Sequence, residues 1–313
     1  MTDQLQLVID GRAYEGWIAI NVERSLDMFA NSFSLTHVDR WAELDEPWPI
    51  REGAAAQVKY GSELLISGFV CTAEWGVDSG EYRLTANGRS KTADLVDCSA
   101  QHKTGHWSKQ TATAIIKDLI QPYGMTVTAQ GPDTEKFDRF SLESGETVYD
   151  AIDRLCKVRG FLPVTARDGN LVLLTTDKPV GSIIELPVET AISRYVRTDD
   201  QERFSDYIFY GQRSGTDSDG DSTTVSITGL IADEAVSRSR PLVIVADAPA
   251  TLERMKTRAT WERNVRAGRS MRVRYKLPSI ISPAKRPWAP LAGTIAAGAS
   301  QPLAVPAQSR SRP

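Results

Sequence analysis

The sequence predicts an α+β chain, mainly β: two small antiparallel β-barrel domains, an inserted α/β region of helix-strand units, and a disordered C-terminal tail. Three observations lead there. Short runs of period-two alternation fill the first hundred residues, a helical period appears twice between Ser108 and Arg159, and alternation returns beyond Glu189 before the composition collapses after Leu277. The expected division is 1–100 for the first barrel, 101–188 for the insertion, 189–277 for a second, incomplete barrel with one helix, and 278–313 for the tail.

In the first domain Leu5, Leu7 and Ile9 alternate with polar residues ahead of a turn at Asp10-Gly11. Trp17 to Val22 and Ser32 to Val38 repeat the pattern, both reading as half-buried strands. After the Pro-rich loop Glu46 to Pro49 come Ala56 to Tyr60, Leu64 to Ala73 and Glu81 to Asn87, with Gly61, Gly76 and Asp78-Ser79-Gly80 as separators. Strands this short and this closely spaced fit a barrel or sandwich.

From Ser108 the apolar residues Ala112, Ile115, Ile116, Leu119 and Ile120 share one helical face, Gly124 is the stop, and Met125 to Ala129 is the next strand. The pattern recurs with Val148, Ala151, Ile152 and Leu155, then Gly160, then Phe161 to Ala166, which makes two copies of a helix-Gly-strand unit. Asp168-Gly169 favours a two-residue type I′ turn into Leu171 to Thr175. Further strands are expected at Ile192 to Val196, Tyr207 to Tyr210 and Thr223 to Ile227, with a loop Gly215 to Ser222 before the last. Asp247 and Pro249 read as the start of a helix ending at Gly268, with Leu252, Met255 and Ala259 inside. Met271, Val273, Tyr275 and Leu277 alternate with Arg272, Arg274 and Lys276 as a final strand.

A chain of 313 residues can bury two or three modest cores. It has no apolar run of eighteen residues and an acidic, alternating start, so neither a membrane span nor a secretory signal is expected. Three widely separated cysteines, Cys71, Cys98 and Cys156, fit reduced thiols made in a cytosol. Net charge is −3, but Asp and Glu dominate the first fifty residues while arginines accumulate and acids vanish after Glu262, an asymmetry that fits complementary subunit contacts.

Chemistry is harder to find. Cys98, His102 and His106 recur every fourth residue, as zinc ligands on a helix would, but Gly105 interrupts them and a fourth ligand is not evident, so no metal is expected. Asp217, Asp219 and Asp221 lack calcium-loop spacing and a terminal Glu and read as a solvated loop; His37 reads as structural. No nucleophile elbow, phosphate-cradling loop or HExxH helix occurs, and no cofactor is expected. The most informative feature is a basic stripe, Arg254, Arg258, Arg263, Arg266, Arg269, Arg272, Arg274 and Lys276, open to three readings: a solvated face, a subunit interface or a phosphate-binding surface. Interleaved aromatics for base stacking are missing apart from Trp261.

The segment Gly88 to Ser99, GRSKTADLVDCS, resembles a signature of the baseplate hub proteins of Mu-like contractile-tailed phages. Ser67-Gly68-Phe69-Val70, Glu146 to Ile152, Ser239 to Ile244 and Arg266 to Ser270 fall in the same order, so the resemblance runs from about residue 1 to Leu277. It implies a non-enzymatic homotrimer in the virion tail baseplate, made in the bacterial host cytoplasm, whose two similar barrels form a ring between the tail tube and a membrane-piercing spike protein. DNA would cross the ring only transiently. Alternatives are a tail-associated cell-wall-degrading enzyme and the spike base of a type VI-like secretion system. The C-terminus departs from the family: Pro278, Pro283, Pro287 and Pro290 replace expected strands, as in a hub truncated or frameshifted between Leu277 and Trp288.

Overall fold

The computed structural model describes residues 5–25, 28–39, 50–78, 81–175, 192–214, 224–246 and 251–276. The fold is mainly β. Seven strands make the first sheet: β1 (Leu5–Ile9), β2 (Arg12–Tyr14), β3 (Ala19–Glu23), β4 (Ser32–Asp39), β5 (Ala55–Tyr60), β6 (Glu63–Asp78) and β7 (Glu81–Ser90), in the order β2-β1-β5-β6-β7-β4-β3. Asp10 and Gly11 both take positive φ, 50° and 78°, which is the type I′ geometry that matches strand twist between β1 and β2. Alternation puts Leu7, Leu35 and Val58 fully inside. The core also takes in Val22 from the far end of the sheet, so the sheet curls around it. Among the described residues, however, β2 and β3 remain its two ends and no barrel closes.

Two expectations for this sheet need correction. Gly76 does not separate strands, because β6 runs through it to Asp78, with a bulge between Val70 and Thr72. Nor is β3 half-buried along its length: among the described residues it pairs only with β4, and Ile18 and Ile20 beside and within it are exposed while Val22 packs on the core.

The middle of the chain contains α1 (Ala93–Asp97), β8 (His106–Gln110), α2 (Ala112–Ile120), β9 (Val127–Ala129), β10 (Phe137–Ser141), α3 (Val148–Arg159), β11 (Phe161–Thr165) and β12 (Leu171–Thr175). Both helices start on a threonine. Thr111 accepts from the Ala114 amide, and Thr147 forms a capping box with Asp150. Left-handed glycines follow both, Gly124 at φ 65° after one 3-10 turn and Gly160 at φ 72°. Thus the two helix-Gly-strand units exist, and β9 and β11 flank β12, the first parallel and the second antiparallel. The first helix begins at Ala112 rather than Ser108, since His106–Gln110 pairs with β10. The turn at Asp168-Gly169 is also not type I′. Only Gly169 has positive φ, Ala166 bonds across to Asn170 at 2.8 Å, and the loop is a type I turn followed by a left-handed glycine.

Buried polar bonds tie this unit to the first sheet. Thr92 and Thr165 both donate to the carbonyl of Phe29 and lie 2.8 Å apart, with Ser90 2.8 Å from Thr92. Phe29 itself enters the core of α2 and α3 and packs on Tyr149, ring centres 4.6 Å apart.

The last unit has β13 (Ser193–Thr198), β14 (Asp206–Ser214), β15 (Thr224–Ala232), β16 (Pro241–Val245), α4 (Leu252–Arg269) and β17 (Met271–Lys276). They form two separate small sheets, β13-β17 and β15-β14-β16, in which β14 runs parallel to β16. Met255 and Ala259 of α4 pack on Tyr207 and Phe209. The helix cap is Thr251, whose side chain accepts from the Arg254 amide, while Asp247 and Pro249 lie outside the described residues. Leu252 is exposed rather than internal, at the end of the helix where the sheet no longer reaches. A closed second barrel is absent among the described residues, and 277–313 lie outside them.

Candidate assembly interface

Helix α4 positions the basic stripe, and its eighteen residues face three ways. One side fills the last unit's core. A second lies on α3, where the buried Trp261 donates its indole N–H to the carbonyl of Phe161 at 2.8 Å. Trp261 is therefore an anchor, unavailable for base stacking.

Most of the stripe's arginines on α4 have defined partners. Arg254 pairs with Glu135, which also accepts from Arg159 at 2.6 Å, so one carboxylate joins α4 to α3. Burial pushes the Arg159 guanidinium below its usual range, and Glu135 opposes that shift. Glu262 accepts from Arg258 at 2.7 Å and Arg266 at 3.0 Å, one helical turn to either side. Arg266 also reaches Glu202 at 2.8 Å. Arg263 donates to the neighbouring Asn264 side chain at 3.1 and 3.2 Å. The side chain of Arg274 is outside the described residues, and Lys276 is exposed on β17.

What the structure brings together is the C-terminal half of the stripe. Arg266, Arg269 and Arg272 line a cavity of about 450 Å³ with Arg197 of β13, Asp199 and Glu202. A second cavity of about 310 Å³, against Tyr149 and Trp261, shares Glu202, Arg266 and Arg269. Asp199 is held below the usual carboxylate range by the Gln201 amide and by Arg197, which donates at 2.7 Å. Cations at the last turn of α4 also oppose its dipole. Arg197 and Glu202 were missed from sequence; the only signal for Arg197 is its alternation with Tyr195.

The remaining sequence candidates do not converge. His102 stacks on Trp107 with ring centres 4.1 Å apart, His106 Nδ1 lies 2.9 Å from the Thr104 carbonyl, and Cys98 sits exposed after α1 beside Tyr123. Among the described residues no three His, Cys, Asp or Glu side chains gather as metal ligands. Asp217, Asp219 and Asp221 lie outside those residues. His37 Nδ1 is 3.0 Å from the Gly16 carbonyl, and its ring meets Trp17 edge-on. No described helix is long and apolar enough to cross a membrane.

Comparison with known proteins gives this geometry a context. Residues 4–90 match the family model of the Mu phage baseplate assembly protein GpP-like N-terminal domain, and residues 92–175 that of the baseplate hub protein gp44-like second domain. Over 279 residues the chain is 30% identical to the baseplate hub protein gp44 of Escherichia phage Mu, covering 87% of this chain and 73% of that one. The crystal structure of the 43 kDa tail protein of prophage MuSo2 from Shewanella oneidensis superposes with a TM-score of 0.76 at 30% identity, over 91% of this chain and 86% of the other. A tail protein from Neisseria meningitidis MC58 shares the fold at 18% identity, TM-score 0.72, over 93% and 84% of the two chains. With the identity to the Mu protein running through the first sheet, the helical insertion and the α4 unit alike, the chain belongs to the baseplate hub gp44 family of Mu-like phages.

Proposed function

We propose that this chain is a structural subunit of the central hub of a contractile phage-tail baseplate, three copies forming a ring that joins the tail tube to a membrane-piercing spike protein. The observation that carries the reading is the 30% identity to the Mu hub over 87% of the chain. Its work is holding and symmetry matching rather than bond chemistry. In support, Arg159, Arg254 and Arg266 form pairs that join separate segments of the chain, the use expected of a scaffold. The chain reads as domains 1–100, 101–188 and 189–277 with a tail at 278–313, each copy giving two similar β-barrel domains to the ring, the second of them incomplete. It is made in the host cytoplasm and incorporated into the virion tail, and DNA crosses the ring only in passage.

Negative-stain microscopy of the purified chain tests this. A ring with threefold symmetry is the expected image; a compact monomer at every concentration would overturn the reading. Peptidoglycan turnover by the same preparation would instead favour a cell-wall-degrading tail enzyme.

A further inference from the structure

Two surfaces at opposite ends of the chain are each unusual and match one another. Residues 1–50 carry nine Asp and Glu against three Arg. Among the described residues β3 is an end strand of its sheet, with Ile20 (45%) in it and Ile18 (61%) just before it exposed, and the exposed carboxylates Glu15 and Glu23 lie ahead of the strand and at its last position. Residues 251–276 carry nine Lys and Arg against two Glu. There the cavity of about 450 Å³ collects four guanidinium groups from three elements, Arg197 of β13, Arg266 and Arg269 of α4 and Arg272 of β17, against only two carboxylates. On the same face of β13 as Arg197, two residues earlier, Tyr195 is 66% exposed.

One surface is an exposed strand edge flanked by carboxylates and the other a polar, mainly basic cavity with the exposed Tyr195 beside it, so their charges are complementary. We infer that the arginine-lined cavity between α4, β13 and β17 receives the β3 edge of a second copy of this chain, with Glu15 and Glu23 of that copy meeting the cavity's excess positive charge. Guanidinium groups suit this role because their planar forks bind carboxylates two-pronged. The contact joins different surfaces of the two copies, so it closes into a ring when the rotation between them permits. A free edge strand needs such a cover, and a neighbour's cavity supplies it. This inference rests on the proposal that the chain is a homo-oligomer.

Charge exchange tests it on the full-length chain, with the oligomeric state read by mass photometry and light scattering. The paired reversals R269E/R272E and E15R/E23R are each expected to weaken assembly at least tenfold, and all four together to recover a large part of it. Recovery also shows that the variants fold, as does circular dichroism of each alone. Wild-type assembly should loosen as salt rises to about 0.5 M. If the wild type assembles and both reversals leave it intact, or if the reversals disrupt it and the fourfold variant recovers nothing, this pairing is wrong while the homo-oligomer proposal stands. If the wild type is monomeric throughout, both fall.

Discussion

Arg203 and Asp233 show how single residues hold the last unit together. The guanidinium donates to both carboxylate oxygens, at 2.7 and 3.0 Å, while the Ala235 amide adds a third bond to the acid at 3.2 Å. Hydrogen bonds from Arg203 hold the Asp233 carboxyl below the usual carboxylate range even though burial pushes the other way. An unfolded Asp titrates near ~3.9, so the unfolded chain binds the proton first; the pair's stabilisation is complete above that pH and is lost as pH falls through the lower folded value. Asp233→Asn should therefore cost about 1–3 kcal/mol at neutral pH and flatten the acid limb of the stability profile, measured by denaturant titration across pH 2–7. Glycines opposite aromatics make a second residue-scale prediction. Phe33 lies over its cross-strand partner Gly88, and Phe209 over Gly229; a Cβ on either glycine would come within 2.1 Å of the ring. Gly88→Ala and Gly229→Ala should each destabilise by about 1–3 kcal/mol in thermal melts, because a packed ring has nowhere to move. The cysteines supply a third. Cys156 is fully buried, and burial keeps its thiol well above the ordinary range, whereas Cys71 and Cys98 are exposed. A thiol reagent should titrate two groups in the folded isolated chain and the third only on unfolding.

Elements were legible in the sequence where local pattern and tertiary role coincide. β1, β4 and β5 alternate because one face of the sheet is core, and α2 and α3 carry complete apolar stripes with threonine caps and left-handed glycines, all local signals. Legibility failed where the determining partner is distant. His106–Gln110 buries only Trp107, so nothing in it announces a strand until Phe137–Ser141 pairs with it some thirty residues later. The alternation at β3 resembles a half-buried strand, yet burial depends on a neighbour that is not found there among the described residues. The basic stripe was visible as charge, but its meaning lies in Glu135 and Glu202, 119 and 64 residues from their arginines. Capping offers an element-scale test. The Thr147 side chain accepts from the Asp150 amide at 3.1 Å, and Asp150 accepts back from the Thr147 amide at 3.2 Å. Thr147→Ala should cost ~1 kcal/mol, and Thr147→Ser much less, in equilibrium unfolding followed by circular dichroism.

The whole molecule is joined by two unlike seams, and that difference predicts how it comes apart. Between the first sheet and the helical insertion the seam is buried: Thr92, Thr165 and the Phe29 carbonyl share hydrogen bonds out of water, and the Phe29 ring sits inside the insertion's own core. Arg167 adds an ion pair to Glu63 at 2.9 Å. Separating these two parts would strip a ring from its core and leave threonine hydroxyls unpaired, which couples their unfolding. Between α3 and α4 the seam is one buried indole plus the ion pair of Arg254 with Glu135, whose carboxylate side chain is 52% exposed. Exposed pairs contribute little and weaken with salt. Heating the isolated chain should therefore give two transitions, the α4 unit leaving first and the other two parts melting together. Trp261→Ala should lower the first transition and leave the second in place, and added salt should move the same transition by less. Differential scanning calorimetry, with hydrogen exchange assigning each transition to its residues, reads this directly. A single transition that Trp261→Ala shifts as a whole would mean that the α4 unit is bound into the same cooperative body as the rest.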